Sequence, residues 1–175
     1  MSAGGTVAVQ TAERAAGTRE IWELLEGIPD PEIPILNIVE LGIVREVRQE
    51  ADGRLRVLIT PTYSGCPATE VIRSQVRAAL DARGHSGALL EEVLSPPWTS
   101  DSLSPAGREK LRRFGIAPPE GTVASLRELR GAPPVSCPRC RSRDTERISE
   151  FGSTPCKAHY RCRACAEPFD YFKCL

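Results

Sequence analysis

Two CxxC pairs near the C-terminus constrain this chain more than any other feature of its sequence. The pairs are CPRC at residues 137–140 and CRAC at residues 162–165, and 21 residues separate them. Each pair lets one tight turn offer two thiolates to the same ion, and two such turns complete a tetrahedral site. The separation is one residue beyond the usual zinc-ribbon range, which a hairpin tolerates. We therefore predict a structural zinc site, with iron–sulfur ligation as the alternative, at Cys137, Cys140, Cys162 and Cys165.

The segment that carries these pairs is roughly 40 residues long, too short to bury a core that folds unaided. Bound metal would therefore supply much of its folding free energy. Four prolines and two glycines at residues 116–134 predict a linker before it. The predicted domain plan is a disordered tail at residues 1–18, a globular domain at 19–115, the linker, and a zinc ribbon at 135–175.

Hydrophobic periodicity in the globular domain predicts an α+β fold, in which a small sheet of about three strands packs with helices. The predicted strands are residues 43–48, 54–60 and 88–94. Asp52-Gly53, between the first two strands, is a strong hairpin signal. The predicted helices are residues 19–27, 69–83 and 105–114.

Cys66 lies in the turn between a predicted strand and a predicted helix. Pro67 takes the first-turn position that proline tolerates, so Cys66 lies where the helix begins. Unpaired backbone N–H groups and the positive end of the helix dipole favour a thiolate there. A working thiol is one interpretation. A packed small hydrophobic residue is the other, because free cysteine is among the most buried residue types.

A proline-rich stretch at residues 28–34 can be neither helix nor central strand, because three prolines remove donors and fix the backbone. We predict a rigid loop that presents Asp30 and Glu32. On composition alone, these carboxylates are turn formers or caps. The remaining cysteines, Cys156 and Cys174, either pack as small core residues or offer a second, labile metal site beside the ribbon.

Charge and missing motifs argue against several function classes. The chain has no net charge. Residues 132–175 carry an excess of three positive charges, which falls to one when four thiolates hold a divalent ion, a weak field for nucleic acid. No signal peptide and no apolar run of roughly 18 residues occurs, so we expect a cytoplasmic protein with no membrane contact. Two histidines are too few for a di-iron site, and neither a dinucleotide fingerprint nor a P-loop is present.

Three runs in the globular domain resemble the iron–sulfur assembly family that includes SufT-type factors. They are DPEIP at 30–34, NIVELGIV at 37–44 and TPTYSGCPA at 60–68. From residue 21 onward, the chain is similar to one branch of that family, the PaaD-type subunits of the bacterial phenylacetyl-CoA epoxidase system. The stretches typical of that branch are SPPWTSD at 95–101, RFGIAPP at 113–119, SEFGST at 149–154, CKA at 156–158 and EPFDYFKC at 167–174.

The chain departs from this pattern at two places. Ser102 stands where a tryptophan is usual, and Pro155 and His159 replace smaller or apolar residues around Cys156. The first departure removes any contact that the tryptophan makes. The second leaves the cysteine ligands intact.

The resemblance implies an accessory role in aerobic phenylacetate breakdown. It implies that the chain helps to assemble or insert metal centres, foremost the cluster of the iron–sulfur reductase, and does not oxygenate the substrate itself. Other epoxidase components would be its partners. In the wider family, the cysteine that matches Cys66 is the reactive thiol, and the loop that matches Asp30 and Glu32 lies close to it. These three residues are therefore expected to handle iron or a cluster transiently.

Two functions from other classes stay open at this stage. One is a stand-alone thiol enzyme that uses Cys66, and the other is a zinc-ribbon protein that binds nucleic acid. The first lacks an indicated base, because His85 follows a predicted helix end, where histidine is more often a solvated cap. The second has only the weak positive field of the metal-loaded ribbon.

Overall fold

The computed structural model describes residues 16–63, 65–120 and 135–173. Within these ranges the chain forms three α-helices and seven strands in two sheets. Residues 1–15 of the predicted tail, residues 121–134 of the predicted linker, and Cys174 lie outside the described residues. No helix in the described part is long and apolar enough to cross a membrane.

The three helices form where the apolar spacing predicts them. Helix α1 spans Arg19–Glu26, α2 spans Ala68–Ala82 and α3 spans Pro105–Arg113. The buried residues of α2 recur every four positions, which makes one face of the helix apolar. Helix α3 begins at a proline, and the preceding Ser104 hydroxyl accepts a hydrogen bond from the Gly107 N–H at 3.0 Å.

The first sheet has the strand order β1-β2-β3. Strand β1 is Val44–Gln49, β2 is Leu55–Ile59 and β3 is Leu89–Glu92. Strands β1 and β2 are antiparallel and form the predicted hairpin, whereas β2 and β3 are parallel with α2 as the crossover. Alternate residues of β2 are buried, as the period of two predicts. The α+β prediction is confirmed.

The main hydrophobic core lies where α1, α2, β2 and the loop before β1 meet. Leu25, Leu36, Val57 and Val76, one from each of these segments, are at most 1% exposed. The proline-rich loop is therefore part of the core and not a free surface loop. Its backbone is tied down by an isolated β-bridge between Pro29 and Asn37.

The stretch at 95–104 packs on the loop before β1 through two close contacts. The Trp98 indole N–H donates to the Leu41 carbonyl at 2.8 Å. Next to it, Gly42 has a positive φ of 70° and approaches Ser102 so closely that an added Cβ would meet the Ser102 carbonyl oxygen at 2.5 Å. Glycine at residue 42 is thus required both by the backbone conformation and by the space available.

The second sheet is the ribbon, with the strand order β4-β7-β6-β5. Strand β4 is Ile116–Ala117, β5 is Thr145–Ser149, β6 is Lys157–Cys162 and β7 is Pro168–Phe172. Strands β5, β6 and β7 form an antiparallel meander, and β4 pairs parallel to β7. The proline and glycine content of residues 116–134 predicts that residues 116 and 117 belong to the linker. They instead occupy the edge of β7, where they pair backbone groups that would otherwise be open.

The two sheets are joined by side chains that belong to one core. Phe172, at the end of β7, is 1% exposed and meets the Trp98 ring edge-to-face, with centroids 6.1 Å apart. Cys156, just before β6, is 4% exposed and belongs to the same apolar cluster. A separate, smaller cluster around Tyr160 and Tyr171 fills the ribbon itself.

Candidate functional site

The sulfur atoms of the two CxxC pairs converge on one point. The Sγ atoms of Cys137 and Cys165 are 3.8 Å apart, those of Cys140 and Cys162 are 3.5 Å apart, and all four lie within 4.8 Å of one another. A tetrahedral zinc ion with Zn–S bonds of about 2.3 Å would separate its sulfur ligands by about 3.8 Å. The donor set therefore fits a closed, structural zinc ion, as the spacing predicts.

Each pair of zinc ligands is followed by a residue in the left-handed region. Arg141 has φ of 63° and Ala166 has φ of 62°. The Arg141 N–H donates to the Cys137 carbonyl at 2.9 Å, which closes the first turn. These turns aim both sulfurs of a pair at the same ion. The left-handed conformation costs a residue with a Cβ about 1–2 kcal/mol, so metal binding holds a strained backbone here.

A second candidate site is a small cavity where the first sheet meets the ribbon. Its volume is about 20 Å³. Five parts of the chain form its walls: the proline-rich loop, the segment just before β1, the end of β2, the start of α2, and the ribbon. The wall is mostly aliphatic. Its residues with sulfur or polar side chains include Asp30, Glu32, Thr60, Cys66 and Cys156. All three residues predicted to handle iron therefore face one cavity.

Cys66 is held at the rim of this cavity by the turn that leads into α2. Its N–H donates to the Tyr63 carbonyl at 3.2 Å, and its carbonyl accepts from the Thr69 N–H at 3.1 Å. Helix α2 begins at Ala68 with Pro67 as its N-cap residue and not in the first turn as predicted, so Cys66 lies two residues before the helix. The thiol is partly buried and packs against the core.

The hydroxyl of Tyr63 is a buried polar group without a hydrogen-bond partner. Burial raises the pKa of Tyr63, and the neighbouring Cys66 thiol and the charge of Glu32 add to this shift. A buried hydroxyl that lacks a partner is costly, so Tyr63 carries an unmet hydrogen bond next to Cys66, although Tyr63 itself does not line the cavity.

Asp30 shapes the loop and is 6% exposed. Its Oδ1 atom accepts hydrogen bonds from the N–H groups of Glu32 at 2.9 Å and Ile33 at 2.7 Å. Burial raises the pKa of Asp30, although these two bonds and the Lys157 ammonium oppose the rise. The turn-forming role open to Asp30 on composition is thus what its Oδ1 performs, and it fixes Glu32 toward the cavity.

Glu32 is the carboxylate that meets the ribbon. Its Oε2 atom lies 3.8 Å from the Sγ atom of Cys156. Burial raises the pKa of Glu32, and the charge of Asp30 raises it further. The ammonium of Lys157 opposes this shift, and its side chain is itself only 5% exposed. One buried lysine thus partly balances two carboxylates.

Cys156 lies in this cavity and not beside the zinc site. Five residues of β6 separate it from Cys162, so about 20 Å of extended strand lie between the two thiols. Burial raises the pKa of the Cys156 thiol, and the negative charge of Glu32 raises it further. A hydrogen bond with the Thr154 hydroxyl at 3.0 Å opposes this rise. The sequence alone is compatible with two roles for Cys156, a packed core residue or a ligand of a second metal site. Its only signal was that residues 149–158 are typical of one branch.

Neither histidine reaches the cavity. The Nδ1 atom of His159 lies 3.3 Å from Asp170 on the ribbon sheet. The backbone N–H of His85 bonds to the Leu80 carbonyl at the end of α2. Neither residue contributes to the cavity wall. A thiol enzyme built on Cys66 would therefore lack the imidazole base that usually activates such a nucleophile.

Comparison with known families matches two parts of the chain to two different families. Residues 122–173 match the family described as the PaaD zinc beta ribbon domain, and residues 18–86 match the iron–sulfur cluster assembly protein family. An Escherichia coli (strain K12) protein, provisionally named as a subunit of 1,2-phenylacetyl-CoA epoxidase, is 51% identical over 156 residues. The match covers 89% of this chain and 92% of that protein. The chain belongs to the PaaD family. The resemblance found in the sequence is confirmed.

The first half of this PaaD-family chain also has smaller relatives. The Bacillus subtilis (strain 168) protein named Fe-S protein maturation auxiliary factor YitW is 37% identical over 85 residues. That match covers 48% of this chain and 82% of that protein. A solved structure of a domain of unknown function, DUF59, from Bacillus anthracis is 28% identical with a TM-score of 0.48. It covers 53% of this chain and 88% of that one.

Proposed function

We propose that this chain is an accessory maturation subunit of a phenylacetyl-CoA epoxidase system. In this role it assembles or inserts the iron or iron–sulfur centre of a partner component and does not oxygenate the substrate. The observation that carries the proposal is the convergence of Cys66, Asp30 and Glu32 on one cavity. A thiol and carboxylates together suit iron more than they suit acid–base chemistry, because no histidine joins them.

The names of the relatives support the two halves of the proposal. The relative named as an epoxidase subunit spans nearly the whole chain, ribbon included. The relative named as a maturation factor matches 85 residues, about half of the chain, and the iron–sulfur cluster assembly family model covers residues 18–86, which include Cys66. Metal handling is therefore assigned to the first domain. The ribbon would direct the metal-handling activity of the first domain to the epoxidase system.

Three residues of the cavity, Cys66, Glu32 and Asp30, have distinct roles in this function. Cys66 supplies the soft thiolate that receives or transfers iron, and its place at the rim leaves it accessible to a partner. Glu32 supplies an oxygen donor. Asp30 positions Glu32 through its two backbone hydrogen bonds. Iron or a cluster is the cargo of this site, whereas zinc in the ribbon is structural.

We assign the other epoxidase components as partners, with the iron–sulfur reductase as the client. The chain would act in the cytoplasm, without nucleic acid and without a membrane. The described surface fits this assignment: ion pairs such as Arg139–Glu167 and Arg163–Glu146 neutralise much of the positive charge of the ribbon. A field this weak favours a protein partner over a phosphate backbone.

The test is complementation of a host that grows on phenylacetate and lacks its own copy of this gene. Cys66→Ser should keep the fold and about one zinc per chain, but should fail to restore epoxidase turnover, and the purified reductase should be deficient in iron. Serine is nearly isosteric, yet it does not ionise near neutral pH and binds soft centres poorly. Glu70→Gln is the matched control, because Glu70 lies in the first turn of α2 but is exposed and outside the cavity wall. Full turnover with Cys66→Ser would refute the proposal.

A further inference from the structure

We propose that Cys66, Cys156 and Glu32 are the donors of a site for a single borderline divalent ion of the Fe²⁺ class, completed by the ribbon. This inference rests on the proposed function, in which the cavity handles iron. It adds that the second thiolate comes from the far end of the chain and that the cargo is one ion. The resulting set of two sulfurs and one carboxylate oxygen is a borderline-soft set of ligands.

The contacts around Cys156 support this assignment. Its Sγ atom is 3.8 Å from Glu32 Oε2, and both side chains line the cavity that Cys66 also lines. The backbone of Cys156 is fixed, because its carbonyl accepts from the Lys173 N–H at 2.9 Å. Three separate segments therefore bring donor atoms to one cavity, which is how protein metal sites are usually assembled.

The volume of the cavity limits the size of the metal species that it can hold. A space of about 20 Å³ exceeds the roughly 10–15 Å³ needed for one water molecule. It therefore accommodates one water or one ion, whereas a cube of four iron and four sulfide atoms is far larger.

The charges of the cavity are compatible with a bound cation. Before binding, Asp30 and Glu32 bring two negative charges against the single positive charge of Lys157, a net charge of −1. Two thiolates and one divalent ion cancel each other, so binding leaves this net charge at −1 and adds no uncompensated charge to the partly buried site. The thiol protons would leave to solvent as the thiolates bind the ion.

The site is not preassembled. Among the residues that the structure describes, the four ribbon cysteines alone meet within 4.8 Å of one another, so the three cavity donors must still close around an ion. Rotation of side chains at the rim would accomplish this.

The test is anaerobic titration of the full-length, zinc-loaded protein with Co²⁺ as a spectroscopic probe and with Fe²⁺ itself. Wild type should bind one ion beyond the ribbon zinc, with sulfur-to-cobalt charge-transfer absorption of two thiolates. Cys156→Ser and Cys66→Ser should each halve that absorption and weaken binding at least as much as the 10- to 100-fold typical of changes around a metal site. Ser153→Ala, in the same turn but bonded to Asp170 instead, should bind like wild type.

A second measurement uses the unmodified protein, in case a variant does not fold. Mass spectrometry after alkylation that is long enough to label the buried Cys156 in the iron-free protein should show that Fe²⁺ protects Cys66 and Cys156 together. Protection of Cys66 alone, or wild-type affinity and absorption in Cys156→Ser, would overturn the inference. These results leave the proposed function intact if Cys66→Ser still fails to support epoxidase turnover. Conversely, two-thiolate binding combined with full turnover in Cys66→Ser would refute the proposed function and keep the ion site.

Discussion

Replacing Phe172 with alanine tests whether the ribbon and the first domain share one core. The side chain is 1% exposed and packs edge-to-face on Trp98. Phenylalanine-to-alanine changes in cores cost about 3–5 kcal/mol, and we expect about 4 kcal/mol, of which roughly 1 kcal/mol belongs to the aromatic pair. For a chain of this size, the melting temperature should fall by roughly 8–16 °C.

The assay is urea unfolding of zinc-loaded protein, followed by tryptophan fluorescence, because Trp22 and Trp98 both lie in the core of the first domain. Phe114→Ala is the matched control. Its side chain is 66% exposed, so the same truncation should change the free energy of unfolding by less than about 0.5 kcal/mol. If Phe172→Ala costs no more than this control, the ribbon does not pack on the first domain in solution, and the cavity between them does not form.

Four further predictions test other features of the molecule. Gly42→Ala should lower the unfolding free energy by more than Gly53→Ala, because both change a positive-φ glycine but only residue 42 has a neighbour in the way; denaturant titration of both variants measures the difference. Ala166→Gly should raise the unfolding free energy of the zinc-loaded protein by about 1 kcal/mol, and no gain in calorimetry would mean that the turn is not strained. Cys162→Ser should abolish zinc binding and lower the unfolding midpoint reported by tryptophan fluorescence, and an unchanged midpoint would show that the domains are independent. Burial raises the pKa of Asp30 in the folded protein, so protonated Asp30 favours the folded state at low pH, and this contribution is lost as the pH rises through that pKa. Asp30→Asn keeps the acceptor oxygen and should therefore be more stable than wild type at pH 7, with a smaller gain in stability at pH 4. Urea unfolding at both pH values measures the difference.

Local patterns in the sequence are sufficient to predict the helices and strands of the first domain. The burial of alternate residues in β2 and of every fourth residue in α2 follows from periods that a single strand or helix imposes. The CxxC pairs likewise identify their site, because each pair is a local turn with one chemical purpose. Helices, strands and metal-binding turns of this kind can be predicted from short windows of sequence.

The placement of Cys156 could not be predicted in this way. Its contact with Glu32 joins positions 124 residues apart, and neither neighbourhood carries a periodic signal for the other. The same holds for β4, where two apolar residues after a helix give no sign that they will pair with β7. Proline content predicted a linker over residues 116–134, and tertiary pairing overrode that preference at its first two residues.

The 124-residue span between Glu32 and Cys156 also sets an order of events during synthesis. The ribosome releases the acidic loop and the Cys66 turn early, and that half can form its sheet while the ribbon is still being made. The cavity gains its last wall only when Phe172 emerges, near the end of translation. A nascent or truncated chain would expose Cys66 without enclosing it. Cargo delivered too early would therefore meet an open thiol, and only a finished, zinc-replete molecule would hold it between both halves.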